Sequence, residues 1–160
     1  QKNKTLSLKT PKNKFKKKFE KEFKIEDNIL KIESIVFNLS KSKNEIIIKI
    51  DGINQIIQIG DGSYVKNNLK NPLPYTKYNN KNIITFGMSE EKLKKIGTSG
   101  GWISNDSYQI INYLYETPTS VVYNFTFKED ELQWDTEVKN SLQEYVAPQI
   151  PLSLKSIKNE

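Results

Sequence analysis

Residues Gly100 to Val138 read GGWISNDSYQIINYLYETPTSVVYNFTFKEDELQWDTEV, and three runs within them have strand length: Tyr108–Tyr115, Ser120–Phe127 and Leu132–Val138. Turn-favouring residues separate each run from the next, which is the pattern of an antiparallel meander. Between the first two lies Glu116-Thr117-Pro118-Thr119, where proline removes a backbone donor and fixes φ, so the ladder breaks and the chain reverses. Between the last two lies Lys128-Glu129-Asp130-Glu131, a solvated tip. In the second run Val121, Tyr123, Phe125 and Phe127 alternate with Val122, Asn124, Thr126 and Lys128, a period of two that puts one side in a core. Leu132, Trp134, Thr136 and Val138 face inward in the third run by the same reasoning, against Gln133, Asp135 and Glu137. The first run is apolar on both sides, with Tyr108, Ile110 and Leu114 against Ile111, Tyr113 and Tyr115, and is expected to be covered on both faces.

Upstream the same signals recur. Residues 1–13 lack periodicity and read as a linker or arm. In Lys14–Lys24, KFKKKFEKEFK, the phenylalanines suit either one face of a helix or a strand; a strand from about Phe19 to Ile25 is preferred, ending at an Asp27-Asn28 turn. From Ile29 to Leu39 apolar residues alternate, with an irregularity expected near Ser34. Glu45–Ile50 and Ile53–Ile59 flank Asp51-Gly52, a strong hairpin signal because both central positions of that turn need positive φ. Gly60–Tyr64 ends the hairpin, residues 66–82 read as a long surface loop, Ile83–Met88 as a strand, and Ser89–Lys95 as a helical turn that Gly97 stops. Residues 143–160 form a tail, held extended by Pro148 and Pro151, whose Val146, Ile150 and Leu152 are expected to cover the second face of Tyr108–Tyr115. The total is about eight strands and an all-β domain over 14–142. An antiparallel barrel follows, since closure removes exposed edges, with a two-sheet β-sandwich as the alternative. Trp102, Phe125, Phe127 and Leu132 are the expected core.

Composition narrows the chemistry. The chain of 160 residues has no cysteine and no histidine, so the residues of thiol, zinc and serine–histidine–acid chemistry are missing together. No cofactor-binding pattern is present. All 25 basic residues behind the net charge of +6 are lysine. Arginine is the residue of forked phosphate and base recognition, so nucleic acid is not an expected partner, and a lysine- and asparagine-rich, AT-biased genome accounts for the charge. No apolar run is long enough for a membrane span. Compartment is left open.

In chain order, Gly101-Trp102, Asp106-Ser107-Tyr108, Tyr115-Glu116-Thr117-Pro118, Phe127 with its acidic tip, and Asn140 resemble the C-terminal domain appended to many bacterial serine hydrolases of the β-lactamase-related, penicillin-recognising superfamily. Phe19–Asn28 and Ile57–Tyr64, IQIGDGSY, resemble that domain's entry strand and its strand with Gly-x-Gly-x-Trp, so the resemblance covers roughly residues 14–142. Tyr64 departs from the usual Trp, Thr119 from Phe, and Glu129-Asp130-Glu131 lacks the tip glycine. The resemblance implies a lipocalin-like barrel that packs on a preceding hydrolase domain of the same protein, shapes substrate access, and has no chemistry of its own.

Three Ser-x-x-Lys sequences occur, at Ser40–Lys43, Ser63–Lys66 and Ser89–Lys92. With this many serines and lysines about two are expected by chance, so they do not identify a catalytic centre. Tyr78-Asn79-Asn80 and Lys95-Ile96-Gly97 imitate the companion motifs but crowd too closely for that catalytic fold. No catalytic residue and no metal ligand is therefore assigned; the acidic tip at Asp130 reads as solvated. Trp102, Tyr113, Tyr115, Tyr123 and Trp134 either line a cavity for a small apolar ligand or fill a core. Glu116 either contacts a partner or accepts hydrogen bonds from backbone donors at the proline corner. The expectation is a non-catalytic accessory barrel of a serine hydrolase; the rival is an autonomous carrier of a small apolar ligand.

Overall fold

Alternation of apolar and polar residues sets the elements. The computed structural model describes residues 21–28, 30–40, 42–69, 94–115, 119–140 and 152–158. Its strands are β1 (Glu22–Lys24), β2 (Ile32–Leu39), β3 (Asn44–Ile50), β4 (Ile53–Gln58), β5 (Val65–Leu69), β6 (Lys94–Trp102), β7 (Ser107–Leu114), β8 (Thr119–Lys128), β9 (Glu131–Asn140) and β10 (Leu152–Lys155). The Asp51-Gly52 turn forms as expected: Ile50 pairs with Ile53, and the two turn residues have φ of 48° and 78°. The tip between β8 and β9 closes at Lys128 opposite Glu131, with Glu129 at φ 51°. The irregularity near Ser34 is a register shift between Ile32 and Ser34. Beside it the Asn28 amide accepts from the Ile32 N–H at 3.1 Å and donates to the Ile32 carbonyl at 2.8 Å, standing in for a strand neighbour.

The strands make two antiparallel sheets, β1-β2-β3-β4 and β10-β9-β8-β7-β6-β5. Among the described residues neither closes into a barrel, which departs from the expected antiparallel barrel and favours the two-sheet alternative. Closure needs a ladder that runs on around the whole circumference. Here the seams are single bridges, Ile25 with Ser156 and Gly60 with Ser99. At the first, Glu26 N–H donates to the Lys155 carbonyl at 2.9 Å and Ile157 N–H to the Lys24 carbonyl at 2.8 Å. At the second, β4 and β5 are joined through a side chain: Gln58 N–H donates to Asn67 Oδ1 at 2.9 Å, and Asn67 Nδ2 donates back to the Gln58 carbonyl at 2.8 Å. A side-chain amide has taken the place a backbone would occupy in a continuous ladder.

The core lies between the sheets. Phe37 of the small sheet meets Phe125 and Phe127 of the large one edge-on at 4.9 and 5.2 Å, and Phe23 lies 5.9 Å from Phe127. The four residues assigned to the core, Trp102, Phe125, Phe127 and Leu132, are all buried. Other expectations change. The loop assigned to residues 66–82 begins with strand β5, and Lys94, Lys95 and Gly97, where the helical turn assigned to Ser89–Lys95 was expected to end, lie inside β6, while residues 89–93 are outside the described residues. Of the tail, Leu152–Lys155 form β10, which extends the large sheet beside β9, with Leu154 opposite Trp134, so Leu152 does not lie over β7 as expected. β7 alternates cleanly: Tyr108, Ile110, Asn112 and Leu114 are buried, while Ser107, Gln109, Ile111 and Tyr113 are half-buried. Its second face is thus only partly covered. The arm at 1–13, the strand at Ile83–Met88, and Val146 and Ile150 lie outside the described residues.

Candidate functional site

The register of the large sheet divides the candidate aromatics into two groups. β8 and β9 pair Phe125 with Trp134 and Tyr123 with Thr136, so Tyr123 and Trp134 share the inner face. Their rings meet edge-on at 5.2 Å, and Phe125 sits 6.1 Å from Tyr123 and 5.2 Å from Trp134. Trp102, brought opposite Tyr108 by β6 and β7, contacts that ring at 5.2 Å and Phe127 at 5.8 Å. Edge-to-face contacts of this kind are favourable packing between ring faces and edges. Trp102, Tyr123 and Trp134 are therefore core side chains packed against one another.

A polar thread crosses this inner face. Asn67 Nδ2 donates to Thr98 Oγ1 at 3.1 Å, Thr98 Oγ1 donates to Asn112 Oδ1 at 3.0 Å, and Asn112 Nδ2 donates to the Val121 carbonyl at 3.3 Å. Trp134 Nε1, Thr136 Oγ1 and the Tyr108 hydroxyl are buried without a hydrogen-bond partner among the described residues. Burial pushes the Tyr108 phenol well above the ordinary range, and the Asp61 carboxylate adds to the effect.

Tyr113 and Tyr115 belong to the outer face, with Tyr64, which sequence reasoning did not assign to a site. Tyr113 lies 6.4 Å from Tyr64 and 6.1 Å from Tyr115, the latter edge-on. Gly97 lies beneath them: a Cβ there would stand 2.8 Å from the Tyr115 hydroxyl and 3.4 Å from the Tyr64 Cβ. A bare backbone is what lets the rings sit down on the sheet. Tyr115 keeps 45% of its surface exposed. Burial, and then the neighbouring Tyr113 and Tyr115, raise the Tyr64 phenol. One cross-strand row runs Lys66, Gly97, Tyr113, Ser120, Lys139, so lysines stand at both ends of this aromatic cluster. Finding Tyr64 required knowing that β5 pairs with β6, a segment the sequence presented as loop. Glu116 lies outside the described residues.

The Ser-x-x-Lys sequences have local explanations where they are described. Ser40 Oγ accepts from the Lys43 N–H at 3.0 Å and lies 3.1 Å from the Lys43 carbonyl, which caps the β2–β3 turn. Lys43 Nζ reaches Glu45 at 3.0 Å. Glu45 is buried, and burial would raise its carboxyl; hydrogen bonds from Lys43, Asn38 and Gln58 outweigh that and hold it below the ordinary carboxylate value. Ser63 lies in a bend and Lys66 in β5. Among the described residues no group of acidic side chains is placed to hold a metal ion, and no helix is long and apolar enough to cross a membrane. Comparison of the chain with family models, curated proteins and solved structures finds no match.

Proposed function

We propose that this chain is a non-catalytic accessory β domain of a β-lactamase-related serine hydrolase, and that it packs on the catalytic domain and shapes access to it. The observation that carries the reading is the division of the candidate aromatics. Trp102, Tyr123 and Trp134 are spent on internal ring contacts, which leaves a carrier of an apolar ligand without the lining it needs. Tyr64, Tyr113 and Tyr115 instead gather on the outer face over Gly97. Tyrosine suits a partner-facing surface because it offers a large apolar body and a polar tip at low entropic cost. The described Ser-x-x-Lys sequences support the non-catalytic part of the reading, since their serines and lysines serve a turn and a strand instead of meeting across one helical turn.

The test is reconstitution in trans with the hydrolase domain. Co-elution is expected, with Tyr115→Ala weakening it by about tenfold or more, as truncation of a buried aromatic anchor does. The chain alone should leave nitrocefin, p-nitrophenyl esters and D-amino acid anilides unhydrolysed. Turnover abolished by Ser63→Ala overturns the non-catalytic reading. Tight, saturable uptake of one fatty-acid-sized ligand with quenching of tryptophan fluorescence assigns the chain to the carrier class instead.

A further inference from the structure

The strands at the ends of the two sheets differ in how they are protected. β1 carries Glu22 and Lys24, β5 carries Lys66, and β10 carries Lys155, whereas β4 and the residue after it read Ile53-Asn54-Gln55-Ile56-Ile57-Gln58-Ile59 with no charge, proline or glycine. Charged side chains are the usual device against edge-to-edge pairing, and β4 lacks it. It also exposes apolar surface, 71% of Ile53 and 51% of Ile56.

The register shows which backbone groups are free. Ile53 follows a two-residue turn and faces Ile50, so Ile53, Gln55 and Ile57 point their N–H and C=O groups at β3. Asn54, Ile56 and Gln58 point theirs outward, as the Gln58–Asn67 bonds attest. The outward groups of Gln58 are taken by Asn67. Those of Asn54 and Ile56 have no partner among the described residues and form an open edge, β4 being the end strand of its sheet.

From this geometry we infer that β4 is a self-association edge whose occupant is β4 of a second copy of this chain, antiparallel about a twofold axis through Gln55. In that register Asn54 stands opposite Ile56 of the second copy and Ile56 opposite its Asn54, each pair exchanging both N–H···O bonds. The pairing residues share one sheet face, while on the other face Ile53 comes beside Ile57 of the second copy. No like charges meet, because the strand has none. The assembly closes at a dimer, since the opposite end of the small sheet, β1, is already tied to the large sheet through Ile25 and Ser156. An isologous contact about a twofold axis uses the β4 edge of both copies and leaves neither of those edges for a third copy to join.

The test is analytical ultracentrifugation of the whole chain across a concentration series, with amide exchange followed residue by residue. A strand-pair interface is at the small end of specific interfaces, so half-dimerisation is expected at roughly 0.1 mM. The Asn54 and Ile56 amides should gain protection with concentration while the Gln55 amide, already bonded to β3, is unchanged. Ile56→Lys, a surface change that leaves the core intact, should raise the dimer dissociation constant by about tenfold or more. Asn54→Pro, which removes an outward donor only, should do the same. A chain that stays monomeric to its solubility limit overturns the inference. So does a dimer in which the Asn54 and Ile56 amides stay unprotected, a dimer indifferent to both substitutions, or an open-ended polymer.

Discussion

Asn67 is a single residue with two tasks: its amide completes the hydrogen bonds of Gln58 in β4 and begins the thread that runs through Thr98 to Asn112. Removing it strands polar groups on both sides. Asn67→Ala is expected to cost about 1–3 kcal/mol per group left unpaired, read as a lower urea midpoint at unchanged m-value. Trp102 tests packing instead. Its ring lies between Tyr108 and Phe127, so Trp102→Ala should cost about 3–5 kcal/mol, and an unchanged denaturation curve would place the indole outside the core. Glu45 carries a pH dependence. Its folded pKa is below the ordinary glutamate value, so its ionised form contributes stability that is present above the unfolded pKa and lost as pH falls through the folded one. In urea titrations repeated from neutral pH down through the acidic range below that value, Glu45→Gln should lower stability at neutral pH and flatten the acid loss. A parallel offset at every pH would mean that the carboxylate's charge is irrelevant.

At the scale of elements, the β3–β4 hairpin depends on two backbone positions. Gly52 sits at φ 78° with open space around its Cα, so conformation, not contact, is what demands glycine. Gly52→Ala should cost about 1–2 kcal/mol through the left-handed backbone alone. Gly97 is the opposite case, within strand β6, where contact is decisive. If the proposed accessory role holds, Gly97→Val should displace Tyr115 and abolish trans binding to a hydrolase domain while moving stability far less; this is checked by the two measurements on one sample. The Asp-Gly signal was legible because a two-residue turn is local. The placement of Gly97 beneath Tyr64 and Tyr115 was not, because it joins the residue before β5, a residue of β6 and the residue after β7.

For the whole molecule, the tail is structural. Leu154 is buried opposite Trp134, and Ser156 Oγ accepts from the Leu132 N–H at 2.8 Å. Deleting residues 152–160 removes these contacts, opens the β9 edge and unties β1 from the large sheet. Lower stability and stronger binding of a hydrophobic dye are expected, and dye binding equal to that of the full chain would show that β10 covers nothing.

What the sequence by itself determined is local. The period of two in β8 and β9, the Asp51-Gly52 turn, the acidic tip and the irregularity at Ser34 each depend on residues a few positions apart, where side-chain alternation and turn chemistry act directly. Alternation assigns a residue to a face, and so Trp102, Phe125, Phe127 and Leu132 were identifiable as core. It does not say which strands are neighbours. The choice of two sheets over a closed barrel was made by a side-chain amide, Asn67, standing where a ladder would continue, and by single bridges at Ile25–Ser156 and Gly60–Ser99. β5 and β10 are short, and β5 carries Lys66, Asn67 and Asn68 in succession, so they become strands only once β6 and β9 offer them partners. The separation of Tyr113 and Tyr115 from Trp102, Tyr123 and Trp134 was decided in the same way, because inside and outside exist only after two sheets have packed.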